Sequence, residues 1–189
     1  MNENYLNIIT KNVTDIQHSF PSGVLLVAAA KTRSPDEVKA AIHAGIKIIG
    51  YNYVQEAERM RKIIENPVQW HMIGHLQRNK VKKAVKFFDM IETIDSVELA
   101  EAVNKECVSE GKIMPVLIEI NSGKESNKTG VLPENVDSLI RHISGLPKLV
   151  SLLYNFSGIK LMVFGYLRMK LIQILLRLVI CRVLQGQLI

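Results

Sequence analysis

After Asp137 the chain has no aspartate and no glutamate. All 18 acids lie at or before that residue, against 17 Lys and Arg, so this part sums to −1. The other seven of the 24 basic residues follow it, and the net charge of +6 belongs to the C-terminal stretch rather than to a domain. A basic fold built for nucleic acid is thereby disfavoured, and no nucleic-acid partner is expected. Cysteine is scarce. Cys107 and Cys181 fall in unrelated contexts, giving neither metal spacing nor a disulfide framework, which fits a reducing compartment. The first twenty residues mix Asn, Glu, Lys, Asp and His among apolar positions, so no signal-peptide core forms and a cytoplasmic setting is expected. Aromatics make up 6% of a chain that is 48% hydrophobic, a balance that suits Val/Ile/Leu-rich buried strands.

What is present is a repeating alternation. Leu6, Ile9, Val13 and Ile16 have helical spacing within 2–20, stopped by Pro21, Ser22 and Gly23. Val24 to Ala30 is a continuous apolar run that predicts a buried strand. Ser34-Pro35-Asp36-Glu37 starts a helix, with Ser34 as N-cap and Pro35 at the first helical position, running to about His43 before Gly45. Further strands are predicted at Lys47–Ile49, Val68–Ile73, Phe88–Ile94 and Pro115–Ile120. The helices between and after them span about Val54–Ile64, Asn79–Lys86, Ser96–Glu110 and Pro133–Ile143, and a sixth strand begins near Lys148.

Strand then helix, five times over with short connections, implies a parallel sheet covered by helices. No Gly-rich phosphate fingerprint follows the first strand, where open dinucleotide folds carry one, which favours a β/α barrel over a doubly wound sheet. In such barrels chemistry gathers at the C-terminal strand ends. Those ends hold Lys31-Thr32, Gly50-Tyr51-Asn52, Gly74-His75, Asp95 and Asn121-Ser122, with His71 inside the third strand.

Lys31 follows seven small or aliphatic residues, so its stem is anchored on the barrel. A desolvated amine loses its proton more readily, and the neutral amine attacks aldehydes. A strand that merely ends in a solvated charge gives the same pattern. Trp70 and His71 are neighbours on one strand and face opposite sides, one toward the barrel centre and one toward the helices. No partner at metal-ligand spacing accompanies His71 or His75, so zinc is not expected, and a hydrogen-bonded structural histidine fits equally well. Asn52 and Asn121 are also ordinary turn residues. Lys80, Lys82, Lys83 and Lys86 make a basic helix face that a solvated surface explains.

Several runs together carry a resemblance. Leu26-Val27-Ala28-Ala29-Ala30-Lys31-Thr32-Arg33 resembles the first strand, with its cofactor lysine, of the pyridoxal 5′-phosphate (PLP) homeostasis proteins. The fold of that family is similar to the barrel domain of bacterial alanine racemase. Gly50-Tyr51-Asn52-Tyr53-Val54-Gln55-Glu56 matches the family's G-E-N-Y-V-Q-E, with Tyr51 where Glu is usual. Trp70 to Lys80 follows W-H-x-I-G-x-L-Q-x-N-K throughout. Ile94-Asp95-Ser96, Ile118-Glu119-Ile120-Asn121 and Lys128-Thr129-Gly130 fall in the family's order.

Over about residues 20–150 this resemblance implies a partial (β/α)8 TIM barrel of alanine racemase N-terminal-domain type. It implies a non-catalytic, monomeric or weakly associated carrier, holding PLP as a Schiff base on Lys31 with Asn52 and His71 lining the pocket. It implies exchange of PLP with PLP-dependent apoenzymes. A racemase-like PLP enzyme needs a second acid/base that this chain does not carry, and a non-functional truncated remnant is the other alternative.

The match stops after about Val150, dividing the chain into an incomplete barrel, 1–150, and a basic, apolar tail, 151–189. The family's S-M-G-M-S turn and V-R-I-G-x-x-I-F-G strand are missing, and with them the expected phosphate cradle. Three accounts of the tail stand: a shifted reading frame, a helix facing a membrane surface with Lys170, Gln173 and Arg177 at helical spacing, or a helix covering the open sheet edge. The charges in the tail interrupt it too often for a bilayer span.

Overall fold

The structure is a computed structural model that describes residues 3–20, 24–156 and 177–181. Helix α1 (Glu3–Ser19) precedes strand β1 (Val24–Ala29), and βα units then follow in series. They comprise α2 (Pro35–His43), β2 (Ile48–Tyr51), α3 (Val54–Arg61), β3 (Gln69–Met72), α4 (Val81–Phe87) and β4 (Met90–Ile94). After them come α5 (Val97–Ser109), β5 (Met114–Ile120), α6 (Val136–Ser144), β6 (Leu149–Phe156) and β7 (Arg177–Cys181).

All ladders are parallel, and the strand order is β6-β5-β4-β3-β2-β1-β7. This is the α/β architecture of a partial barrel, as the alternation of apolar runs and caps predicts. Strand β6 runs through Val150, where the motif match ends.

Local signals explain the helix starts. Ser34 accepts from the Glu37 backbone N–H, while the Glu37 carboxylate accepts from the Ser34 N–H at 2.7 Å, a reciprocal capping box with Pro35 at the first turn. Ser96 occupies the N-cap of α5, but its hydroxyl donates to Asp95 at 2.9 Å instead of capping the helix. Helices predicted from Asn79 and Pro133 begin as 3-10 turns, Arg78–Lys80 and Pro133–Asn135, before the α-helical hydrogen bonds set in. α3 ends at Arg61 rather than Ile64, because the Ile63 and Ile64 N–H groups both close onto the Met60 carbonyl.

Two apolar layers form. The larger lies between sheet and helices and takes Ala28, Ile49, Tyr51, Trp70, Met72, Ile91, Val116 and Ile118 from the strands. The smaller lies on the opposite face and joins Val27, Ile48, Met90 and Leu117, with Ile73 against them. Strand alternation sorts residues between the two, apart from a register irregularity in β4 between Ile91 and Ile94.

The expected helix over the sheet edge is corrected at β7: residues 177–181 form a strand on β1, in register from Val24 opposite Arg177 to Ala28 opposite Cys181. Arg177 therefore sits in a strand, while Lys170 and Gln173 lie outside the described residues. Among the described residues no helix is long and apolar enough to cross a membrane.

Lys112 closes the far end of α4, its Nζ donating to the carbonyls of Val85 (2.8 Å) and Phe88 (2.7 Å). Burial lowers its pKa, with the Asp89 charge opposing. These charge-assisted bonds predict that Lys112→Met, which keeps the stem but not the donor, lowers the unfolding free energy by about 1–3 kcal/mol in a urea titration.

Candidate functional site

The inner face of the sheet leads to the rim. Val27 belongs to the inner cluster and Ala28 and Ala30 to the helix-side layer, and Lys31 follows in the turn at the β1 end, where it is half-buried. On β2, Ile48 is inward and Tyr51 helix-side, which brings Gly50 and then Asn52 to the inner side. The Ala30 N–H donates to the Gly50 carbonyl at 2.9 Å, tying the first two strand ends together. Gly74 is needed at the third end: a Cβ there would lie 2.6 Å from the Asn52 Cα and carbonyl oxygen. The backbone at Gly74 is thus pressed against Asn52 and fixes where that half-buried side chain starts.

His71 faces inward. Its Nδ1 lies 2.6 Å from Glu92 Oε1, and both side chains are almost wholly buried. Trp70 faces the other way, stacked on Tyr51 at 5.8 Å between ring centroids, with Phe87 edge-on at 5.6 Å. The opposed orientation expected for this pair of neighbours is what the fold contains.

Glu92 is absent from the candidates read from sequence. The signal was there, since an acid flanked by Ile and Thr inside a buried parallel strand must find a partner. Burial raises its pKa, partly offset by the hydrogen bond and charge of His71.

The far side of the rim is acidic. His75 is exposed, with Nδ1 3.2 Å from Asp95 Oδ2. Glu119, inward between helix-side Ile118 and Ile120, accepts from the Thr129 hydroxyl at 3.1 Å. Its pKa is raised, chiefly by burial and then by the Asp95 charge, while Thr129 and His75 act oppositely. Asn121 is buried and organises the following loop, its Nδ2 donating to the Glu125 carbonyl at 2.8 Å and its Oδ1 accepting from the Glu125 N–H at 3.1 Å. That is the turn role left open for it.

Tyr51, where the family pattern has Glu, is fully buried in the helix-side layer and does not reach the inner rim. Burial raises its pKa, as does the Glu56 charge, and its hydroxyl has no hydrogen-bond partner among the described residues. On α4, Lys83 pairs with Glu58 (3.3 Å) and Lys86 with Glu110 (3.0 Å) on an exposed face, as a solvated surface requires. One concavity lies beside them, lined by Arg59, Lys62, Lys83 and Phe87, and another at the opposite strand ends near Leu25, Gln69 and Asp89. Neither includes Lys31. No group of three or more His, Cys, Asp or Glu among the described residues could hold a metal ion.

Alongside this strand order, the lysine after β1 and the G-Y-N-Y-V-Q-E segment at the end of β2, the family model for the alanine racemase N-terminal domain matches residues 5–157. The chain belongs to that family. It is 36% identical over 131 residues to the pyridoxal phosphate homeostasis protein of Pasteurella multocida, covering 68% of this chain and 56% of that one. With the protein of the same description from Vibrio alginolyticus it shares 37% identity over 134 residues, 68% of this chain and 58% of that one. The chain thus spans a little over half the length of the curated relatives it matches. Among solved structures, PipY of Synechococcus elongatus with PLP bound superposes with a TM-score of 0.73 at 26% identity, over 79% of this chain and 70% of that one.

The raised pKa of Glu92 has a sign that can be measured. The folded state holds the Glu92 proton more tightly than the unfolded chain, whose carboxyl titrates near 4.5. Stability contributed at this site is therefore lost as pH rises above that value through the raised folded pKa. Glu92→Gln cannot ionise, so its urea midpoint should gain on the wild type as pH rises above about 4.5. Midpoints that run parallel with pH in the two proteins would refute the assignment.

Proposed function

We propose that this chain binds PLP covalently through Lys31 and serves intracellular PLP homeostasis as a non-catalytic carrier. The observation that carries the reading is the placement of Lys31. A half-buried lysine stands at the C-terminal end of β1, in the sheet whose next two strands lead to Asn52 and carry His71 of the His71–Glu92 pair. Family membership and the PLP-bound PipY relative supply the ligand class.

PLP, when bound, supplies an aldehyde that condenses with an unprotonated primary amine and releases water. The residues present fit that end of the group. Val27, Ile48 and Ile73 form an apolar cluster on the inner side of the sheet beneath the rim. Asn52 offers two N–H donors and a carbonyl acceptor at the second strand end. His71 uses Nδ1 on Glu92, and this bond fixes the ring and so the side on which Nε2 lies. The family's phosphate-cradle motifs are expected beyond residue 150, where residues 157–176 and 182–189 lie outside the described residues.

A carrier reading is favoured over racemase-type turnover because that chemistry needs a second acid/base, and of the two tyrosines that follow Gly50, Tyr51 is on the helix side and Tyr53 is exposed. The same reading takes 1–150 as the barrel and 151–189 as the tail, of which residues 151–156 and 177–181 add to the sheet. It makes the protein a cytoplasmic monomer whose partners are PLP-dependent apoenzymes, with membrane contact of the tail as a minor alternative.

Adding PLP to the purified chain should produce a visible absorbance band. Borohydride should then fix a pyridoxyl mass on the tryptic peptide containing Lys31, and Lys31→Ala should lose both signals. A wild-type chain that gives neither overturns the proposal. Amino-acid racemisation by the purified chain would replace the carrier with an enzyme.

A further inference from the structure

The residue after Lys31 is in a conformation that its side chain disfavours. Thr32 has φ +62°, the left-handed region, which β-branched residues rarely enter. The Arg33 N–H donates to the Ala30 carbonyl at 3.2 Å, so Ala30 to Arg33 form a β-turn with Lys31 and Thr32 at its two corners. A positive φ at the second corner but not the first is the pattern of a type II turn, in which glycine is the favoured occupant. Threonine stands there instead.

A contact from α3 reaches the centre of this turn. The Thr32 N–H donates to Glu56 Oε1, 24 residues on in α3, at 2.6 Å. That N–H belongs to the peptide joining Lys31 to Thr32. Type I and type II turns differ by a flip of this central peptide, which changes ψ of the first corner from about −30° to about +120°. A bond to the N–H therefore selects one orientation of the peptide and sets ψ of Lys31. Since N–H and C=O point oppositely in a trans peptide, the Lys31 carbonyl is directed away from Glu56, and a flip would aim it at the carboxylate. Glu37 braces the next residues, accepting from the Ser34 N–H and lying 3.2 Å from the Arg33 guanidinium. Glu56 acts on the peptide of Lys31 itself.

We infer that Glu56 is a positioning residue for Lys31: its carboxylate holds the Lys31–Thr32 peptide in the strained type II orientation and thereby fixes the lysine's presentation at the rim. The role rests on the carrier reading for its purpose, though not for its geometry. Backbone strain next to a functional group, over-determined by a neighbouring element, is the setting in which pre-organisation is found. The motif segment Gly50 to Glu56 thus contributes at two points, Asn52 on the inner rim and Glu56 on the turn behind the lysine.

Three variants test this: Glu56→Ala, Glu56→Gln and Glu56→Ala combined with Thr32→Gly. Two readouts are taken on the chain without PLP, namely the rate of acetic anhydride labelling at Lys31 relative to other lysines in the same digest, and hydrogen exchange at the Thr32 amide. A third is the PLP dissociation constant by absorbance. Glu56→Ala should expose the Thr32 amide to exchange, change the Lys31 labelling ratio and weaken PLP coupling by roughly tenfold or more, as a displaced reacting group does. Glu56→Gln retains an acceptor oxygen and should restore most of the loss. Thr32→Gly removes the penalty for positive φ, so the double variant should couple PLP better than Glu56→Ala alone.

A merely structural Glu56 would lower the thermal midpoint without rescue by glycine at position 32. That outcome, or unchanged labelling and exchange in Glu56→Ala, overturns the inference. Absence of PLP coupling in the wild type, with labelling and exchange still shifting in the variants, would sink the carrier reading while the positioning role stands.

Discussion

A parallel sheet covered on both faces allows each strand only one register. Because side chains alternate between faces, every β-strand here is divided into residues that meet the helices and residues that meet the inner side. The helix-side set, from Ala28 through Tyr51 and Trp70 to Ile118, is apolar and aromatic. The inner set begins apolar at Val27, Ile48, Met90 and Leu117 and becomes polar toward the strand ends. A shift of one residue in any strand would exchange the two and bury the wrong groups. The strand end from which Lys31 departs is thus set by the packing of Val27, four residues below it, and of Ala28 and Ala30.

The same constraint explains why ionisable groups on the inner face come in company. Glu92 meets His71, Asp95 meets His75, and Glu119 meets the Thr129 hydroxyl. Taking a carboxylate out of water costs several kcal/mol unless hydrogen bonds or a proton compensate. Both Glu92 and Glu119 respond with raised pKa values for that reason. Depth orders these pairs: the His71–Glu92 contact is sealed, whereas His75 at the strand end is open to solvent. A gradient from sealed to solvated polarity is what a barrel mouth requires.

Much of this could be read from residue order. The capping box at Ser34, the apolar run of β1 and the opposed faces of Trp70 and His71 each follow from a local rule, and each is realised. What sequence did not disclose depends on contacts between distant positions. Glu92 gains its meaning from a histidine 21 residues earlier, and Glu56 from an amide 24 residues earlier. Tyr51 looked like a departure at the rim, yet the alternation places it behind the sheet, where an aromatic ring stacks usefully on Trp70. The pairing of residues 177–181 with β1 had no periodic signal strong enough to displace a helical reading of the basic tail.

The ladder between β4 and β5 shifts register between Ile91 and Ile94. Ile91 and Ile94 are three apart and yet both sit in the helix-side layer, which strict alternation forbids. The extra residue therefore changes which parity faces inward: Glu92 is inward before the irregularity, and Asp95 stands beside His75 and Glu119 after it. One strand thereby delivers two carboxylates, an odd number of positions apart, to a single side of the sheet. Strict alternation from Glu92 without that irregularity would turn the aspartate toward the helices, so the acidic half of the mouth exists because this strand carries one extra residue.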